Sequence, residues 1–438
     1  MIDSIKERYQ QIKASDIAQR MRSGAFWSFT GTALGKFFVL LTGIICARIL
    51  GKEGFGELGI IRSTLGMFII LGSGGIGVTA TRYIAAYRTN EKKHAAAIYR
   101  LSSVFTMIVG FIITFILLGL SDILTEDVLN SRKLSTPIII GSMVLLFSIL
   151  NSSENGTLAG LEDFKSIAIN TLIASIVEST GMIVGAYFYQ LEGAIWGFAC
   201  GLLVLYLTNK RSVKKQLRAA NIPTHGISIR REDWKLIYRY SLPATLSALM
   251  VTPVFWLIRS MLIHSEGYGE LGIFEAADQW KVILLFIPGA ICQIVLPILS
   301  SITQPGVFRK TLLGNIVLIG GISTVLALST YFLAPIIMPF YGKSFDDTMP
   351  LAFLAFSTIP TAIAQILEMT LYSRDKMWTS LLFNILWGAA TIMLTYIMLQ
   401  KASGATGLAL SILLAYTVKM VCMGIYLLTI NTYHNAKV

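Results

Sequence analysis

Apolar runs long enough to cross a bilayer recur along the whole chain, divided by short polar turns. A crossing helix needs roughly 20 mostly apolar residues. The pattern predicts twelve spans, at about 24–48, 57–86, 95–120, 137–161, 164–190, 193–208, 234–263, 269–301, 308–333, 347–372, 377–400 and 404–430. Glycine or proline interrupts several of them, at Ser73-Gly74-Gly75-Ile76-Gly77, Pro243, Pro253, Pro288 and Pro360. The expected organisation is a polar segment over 1–22, a six-helix unit over 23–208, a basic linker over 209–233, a second six-helix unit over 234–430 and a tail over 431–438. The fold class is all-α integral membrane.

The two units repeat one another. Glu53-Gly54-Phe55-Gly56-Glu57-Leu58-Gly59-Ile60 returns as Glu266-Gly267-Tyr268-Gly269-Glu270-Leu271-Gly272-Ile273, and the same register lays Thr157-Leu158 on Thr370-Leu371. Near the ends of the halves, Gly197, Ala199 and Tyr206 meet Gly407, Ala409 and Tyr416. An even number of spans per half makes both halves enter the membrane in the same sense, so the repeat is parallel, about an axis near the membrane normal. Transporters are commonly built this way, with substrate bound between the repeats.

Charge sets the orientation. With the N-terminus inside, the inner segments hold 25 of the 36 Lys and Arg, and the outer turns hold six (Arg48, Lys52, Arg132, Lys133, Lys343, Lys401). This bias predicts that both termini are cytoplasmic. The net charge of +12 then reflects topology, and nucleic acid is not an expected partner. Lys210, Arg211, Lys214, Lys215 and Arg218 in the linker face the anionic-lipid side. Residues 1–22 read as a short amphipathic surface helix or a solvated leader, and no cleavable signal is expected.

Enzymatic chemistry finds no purchase. Cys46, Cys200, Cys292 and Cys422 lie apart within spans without a CxxC, so they read as buried small apolar residues. The four histidines lack ligand spacing, and no Walker, GxSxG or HExxH motif occurs. No metal or cofactor is expected, and transport energy must come from a proton or sodium gradient, the membrane potential or the substrate gradient.

The charges inside the spans carry the functional signal, because a charge at mid-membrane costs about 2.5–3.5 kcal/mol on insertion scales. They are Lys36, Arg62, Glu154, Glu178, Arg259, Glu275, Asp278, Lys281, Glu368 and Lys419. Structural ion pairing is one reading of the acids, within one helix for Glu275, Asp278 and Lys281. Lys419 also reads as a snorkelling residue. The bases sit on small and polar faces: Lys36 extends Ser28 and Thr32, Arg259 extends Ser241, Thr245 and Thr252, and Arg62 shares a face with Gly66, Ser73 and Gly77. Lys36, Arg62, Arg259 and Lys281 fall in spans 1, 2, 7 and 8, the equivalent pairs of the two halves, and so predict a cationic cavity for an anionic substrate. Glu154 and Glu178 are candidates for ion coupling or for neutralising Lys36, and Glu275 and Asp278 for charge balance.

At Ile49-Leu50-Gly51-Lys52-Glu53-Gly54-Phe55-Gly56, then a Gly-rich span, then Thr81-Arg82-Tyr83-Ile84-Ala85, the chain resembles bacterial polysaccharide exporters of the oligosaccharidyl-lipid flippase type. Gly160-Leu161-Glu162-Asp163-Phe164-Lys165 is similar to that family's turn between spans 4 and 5. The resemblance implies the V-shaped, two-lobed fold of the wider multidrug/oligosaccharidyl-lipid/polysaccharide exporter group, with spans 1, 2, 7 and 8 lining a central cavity. It implies a flippase that moves undecaprenyl-pyrophosphate-linked oligosaccharide (an O-antigen or capsule repeat unit) from the inner to the outer leaflet of the bacterial cytoplasmic membrane, working with membrane lipids and polysaccharide polymerase machinery. A cation-coupled multidrug antiporter and a lipid II flippase are the alternatives. The excess of bases in spans 1, 2 and 7 argues against the first, and the twelve-span count against the second. The second half carries Val295-Leu296 where the first has Arg82-Tyr83, so Arg82 reads as topological.

Overall fold

The computed structural model describes residues 2–73, 75–223, 234–235, 251–302, 304–374 and 376–435, and all its regular elements are helices. In chain order these are α1 (Ile2–Ser73), α2 (Ile76–Tyr87), α3 (Lys92–Ile123), α4 (Ser135–Gly160), α5 (Phe164–Ala219), α6 (Thr252–Glu266), α7 (Tyr268–Leu284), α8 (Phe286–Ser301), α9 (Pro305–Ile337), α10 (Met349–Ser373), α11 (Met377–Leu399) and α12 (Gly404–Asn435).

The twelve crossings follow from these elements. Among the described residues, eight stretches are long and apolar enough to span a membrane, and two of them, Phe26–Ser73 and Phe164–Ala219, double back and cross twice. The α6 helix carries the described part of span 7, while α7 and α8 form span 8. Ser241, Pro243 and Thr245 lie outside the described residues, as does most of the linker beyond Pro223.

At three of the expected short polar turns the connection shrinks to a residue or two. Spans 1 and 2 meet at Gly51, whose φ of 72° and ψ of 178° reverse the chain in one residue. Gly267 does the same between α6 and α7, at φ 87° and ψ −179°. A residue with a Cβ is strained in this conformation, which fixes glycine at both corners. The sequence repeat aligns Gly267 with Gly54, whereas the structural corner of the first half is one helical turn earlier. The α5 hairpin turns at Gln190, φ 51°. Its arms approach so closely at Gly181, Gly185, Gly193 and Gly197 that an added Cβ on any of them would strike the facing backbone, the small-residue packing of membrane helices.

Other boundaries also shift. Residues 2–22 are helix continuous with span 1, the first part of the basic linker continues α5 to Ala219, and α12 runs to Asn435. Cys46 and Cys292 are buried, but Cys200 and Cys422 are exposed on the outer faces of their helices, a correction to the expectation that all four would be buried.

Two lobes result, one from α1–α5 and one from α6–α12. One apolar core crosses between them, joining Phe55, Leu58 and Ile61 to Leu262, Leu271, Phe274, Tyr341 and Phe345. It lies at the Gly51/Gly267 end. Gly56 rests on the backbone of Tyr268 and Gly272, and Gly272 rests on the Lys52 carbonyl. Arg48 Nε donates to the Phe340 carbonyl at 2.6 Å, the Tyr268 hydroxyl to the Leu129 carbonyl at 2.5 Å, and Trp256 Nε1 to Thr64 Oγ1 at 2.9 Å. The clusters away from this end, around Cys292–Phe308 and around Ala95–Leu217, each belong to a single lobe. The lobes therefore join along the Gly51/Gly267 end of a V, and far down span 1 they meet again in one ring contact, Phe29 on Phe286 at 4.9 Å.

Candidate functional site

Between the lobes lies a cavity of about 830 Å³, within the range of ligand pockets. Spans 1, 2, 7 and 8 supply most of its wall. Span 8 is broken beside it, at Leu285 between α7 and α8, and span 2 is broken further along, at Gly75 between α1 and α2. Interrupted helices at corresponding positions of two repeats mark the binding region in many transporters.

All four basic residues singled out in the sequence line this cavity, as do Glu275 and Asp278. Counted along the helices from the Gly51 and Gly267 corners, Arg259 and Glu275 lie about 12 Å down, Arg62 and Asp278 about 16 Å, and Lys36 and Lys281 about 21–22 Å. The register is consistent with the packing, since Gly59 of one lobe rests against the Glu275 side chain of the other. Around and beyond the lysines the wall is uncharged, with Thr32, Thr171, Ser175, Thr361 and Gln365 set among the apolar Val282, Ile283 and Leu285.

Most of the positive charge is already matched. Arg259 Nε meets Glu275 Oε1 at 2.5 Å and its Nη2 meets Asp278 Oδ2 at 2.9 Å. The guanidinium is flanked by the Phe255 and Phe274 rings, at 5.8 and 5.3 Å. Lys281 Nζ lies 3.4 Å from Asp278 Oδ1 and 4.9 Å from the Phe255 centroid. Arg259 and Lys281 are only 8% and 5% exposed, so the two carboxylates are what permits them to stay charged there. In the first lobe Arg62 pairs more loosely with Glu178, at 3.6 Å, and lies 5.1 Å from the Phe198 centroid. Lys36 has no carboxylate within ion-pair distance among the described residues, and its neighbour Gly35 packs over Thr171 and Ser175, which line the same cavity.

Several pairings differ from expectation. Glu178 meets Arg62, not Lys36, because α5 packs it against Gly201 and beneath span 2. Glu275 pairs across helices with Arg259, and only Asp278 and Lys281 pair within α7. Lys419 does not snorkel: its Nζ lies 2.6 Å from Asn384 Oδ1 and 3.5 Å from Glu368, whose other oxygen accepts from Tyr372, Ser380 and Asn384. Glu154 stands apart from the cavity, buried in α4 with the Tyr99 hydroxyl 3.5 Å from both its oxygens. Sequence reasoning missed Gln279 and Gln365, neutral cavity residues that carry no charge cost to betray them.

Comparison with known proteins agrees with this geometry. The family described as "polysaccharide biosynthesis protein" matches residues 21–303. The EPS I polysaccharide export inner membrane protein EpsE of Ralstonia solanacearum is 27% identical over 195 residues, which is 42% of this chain and 44% of that protein; the match thus spans under half of the curated relative's length. Among solved structures, the inward-facing conformation of a multidrug resistance MATE family transporter of the MOP superfamily superposes with a TM-score of 0.78 at 18% identity, over 91% of this chain and 95% of that one. Its outward-facing counterpart gives 0.70 at 17% identity, over 93% and 94%. A MOP superfamily transporter from Pyrococcus furiosus, described as having a binding pocket of reverse polarity, gives 0.69 at 16% identity, again over 93% and 94%. With the family match running over more than half of its length and the fold shared over nearly all of it, this chain belongs to the polysaccharide biosynthesis protein family, on the fold of the MOP superfamily transporters.

Proposed function

We propose that this chain moves an undecaprenyl-pyrophosphate-linked oligosaccharide from the inner to the outer leaflet of the bacterial cytoplasmic membrane by alternating access. The observation that carries this reading is the convergence of Lys36, Arg62, Arg259 and Lys281, two from each lobe, on one interlobe cavity. Cations from both lobes let a diphosphate bridge them, so substrate itself favours the state in which the lobes approach. Arg62, held at 3.6 Å by a single carboxylate, is the arginine free to turn its planar fork to phosphate. The export protein of Ralstonia supports the polysaccharide cargo. Glu178 balances Arg62 in this scheme, and a proton or sodium gradient enters at Glu154, the buried carboxylate outside the ion pairs. A multidrug antiporter fits less well, because both cavity carboxylates are already occupied by Arg259 and Lys281.

In cells, Lys36→Ala is expected to cut surface polysaccharide about tenfold at unchanged protein level, a loss of one charge-assisted contact. Arg62→Ala is expected to do the same, and Arg62→Lys to retain part of the activity. Arg132→Ala and Lys133→Ala, far from the cavity, should be silent. Normal export from both Lys36→Ala and Arg62→Ala would remove the cavity from the mechanism.

The V would open inward if the termini are cytoplasmic. Cysteines placed at Ser131 and Ser344 should then react with an impermeant maleimide outside intact cells, and one at Lys215 only after lysis. Labelling of the Lys215 position in intact cells would reverse the orientation.

A further inference from the structure

The cavity's charges are sorted by depth. At the tier of Lys36 and Lys281, one lysine comes from each lobe, and among the described residues the carboxylate within ion-pair distance is Asp278, at 3.4 Å from Lys281. Toward the closed end, Arg62 and Arg259 are met by Glu178, Glu275 and Asp278. Four basic groups thus face three carboxylates, leaving about one net positive charge to meet a ligand. A lipid diphosphate ester brings two negative charges and already exceeds it. A uronic acid or other acidic sugar would bring its carboxylate beside Glu275 and Asp278, where Arg259 and Lys281 are already committed to those two acids and no cation remains to receive it, so its desolvation goes uncompensated. Uncharged sugars, by contrast, can donate hydroxyls to these carboxylates and share hydrogen bonds with Gln279, Gln365, Thr361 and Ser175.

We propose that the cavity sorts its substrate by charge: the diphosphate sits between Lys36 and Lys281, and the wall bearing Glu275 and Asp278 admits only sugars without acidic groups, so the exported repeat unit is an uncharged oligosaccharide. This rests on the lipid-diphosphate reading above and adds the chemical class of the glycan. Glu275 and Asp278 then have two duties, holding Arg259 and Lys281 in place and excluding acidic glycans.

The test is binding to the purified full chain in nanodiscs, by microscale thermophoresis, with two probes: a farnesyl-diphosphate-linked uncharged trisaccharide, and the same molecule ending in glucuronic acid. The uncharged probe is expected to bind about tenfold tighter. Glu275→Gln, which leaves Asp278 paired to both Arg259 and Lys281, should bring the ratio to about threefold or less, and Asp278→Asn, which frees the buried Lys281 and is compared as folded, monodisperse protein, should lower it as well. Lys36→Ala should weaken both probes alike and leave the ratio unchanged. Equal affinity of the two probes for the wild type, or a ratio that Glu275→Gln does not move, overturns the charge-sorting proposal alone. Failure of both probes and of inorganic pyrophosphate to bind the folded protein overturns the lipid-diphosphate reading and this proposal with it.

Discussion

Arg259→Ala is expected to be the most damaging single change in the cavity, and to act on folding before it acts on transport. The guanidinium is buried between two phenylalanine rings and holds Glu275 and Asp278. Removing it leaves Glu275 without a cation and Asp278 with only Lys281, and an uncompensated buried charge costs about 3–5 kcal/mol. Protein yield and thermal stability in detergent should fall sharply. Arg259→Met combined with Glu275→Gln should recover much of that stability, since the pair then leaves together and Asp278 keeps Lys281. Transport should not recover. A stable, well-expressed Arg259→Ala protein would show that the quartet is not held together as described.

A second large effect is expected at the contact between the lobes. Gly56 is helical, so its replacement carries no backbone strain; the obstacle is the Tyr268 carbonyl and the Gly272 amide, against which any Cβ would press. Gly56→Leu should therefore prise apart the Gly51/Gly267 end without unfolding either lobe. Export should fall about tenfold or more, the population shift expected when packing at one of two states is lost. A cysteine pair at Lys52 and Gly269, which touch across the seam, reports on this directly. Cross-linking by a short bifunctional reagent should be efficient in the parent chain and weak in the Gly56→Leu background. Equal cross-linking in both would mean that the seam does not open.

These two residues also illustrate what the sequence could reveal. The repeat of Glu53–Ile60 in Glu266–Ile273 marks the glycines of the seam, because duplicated small residues in an otherwise bulky membrane helix need a reason, and close approach is the usual one. Twelve spans and two lobes were legible because hydrophobic length and loop charge are local quantities. So were the four cavity cations, since the cost of a charge in a span is borne only for a purpose. Pairing was not legible. Whether Glu178 faces Lys36 or Arg62 depends on how α5 rolls against span 2, a tertiary detail with no sequence period. Lys419 likewise looked free to reach the membrane surface, and only the packing of α10, α11 and α12 brings Glu368 and Asn384 to it. The corner at Gly51 was ambiguous for another reason: Gly51 and Gly54 both permit it, and the two halves chose positions one turn apart.

The central claim is that cations from two lobes carry a lipid diphosphate across the membrane, and the most direct test is reconstitution. Proteoliposomes are loaded with a fluorescent short-chain prenyl-diphosphate oligosaccharide, and its appearance in the outer leaflet is read by a membrane-impermeant quencher. The account predicts that the parent chain makes nearly all of the probe accessible, that Lys36→Ala with Arg62→Ala leaves it at the protein-free level, and that Arg132→Ala matches the parent. Equal scrambling by the parent chain and the Lys36→Ala, Arg62→Ala protein, both properly folded, would contradict it.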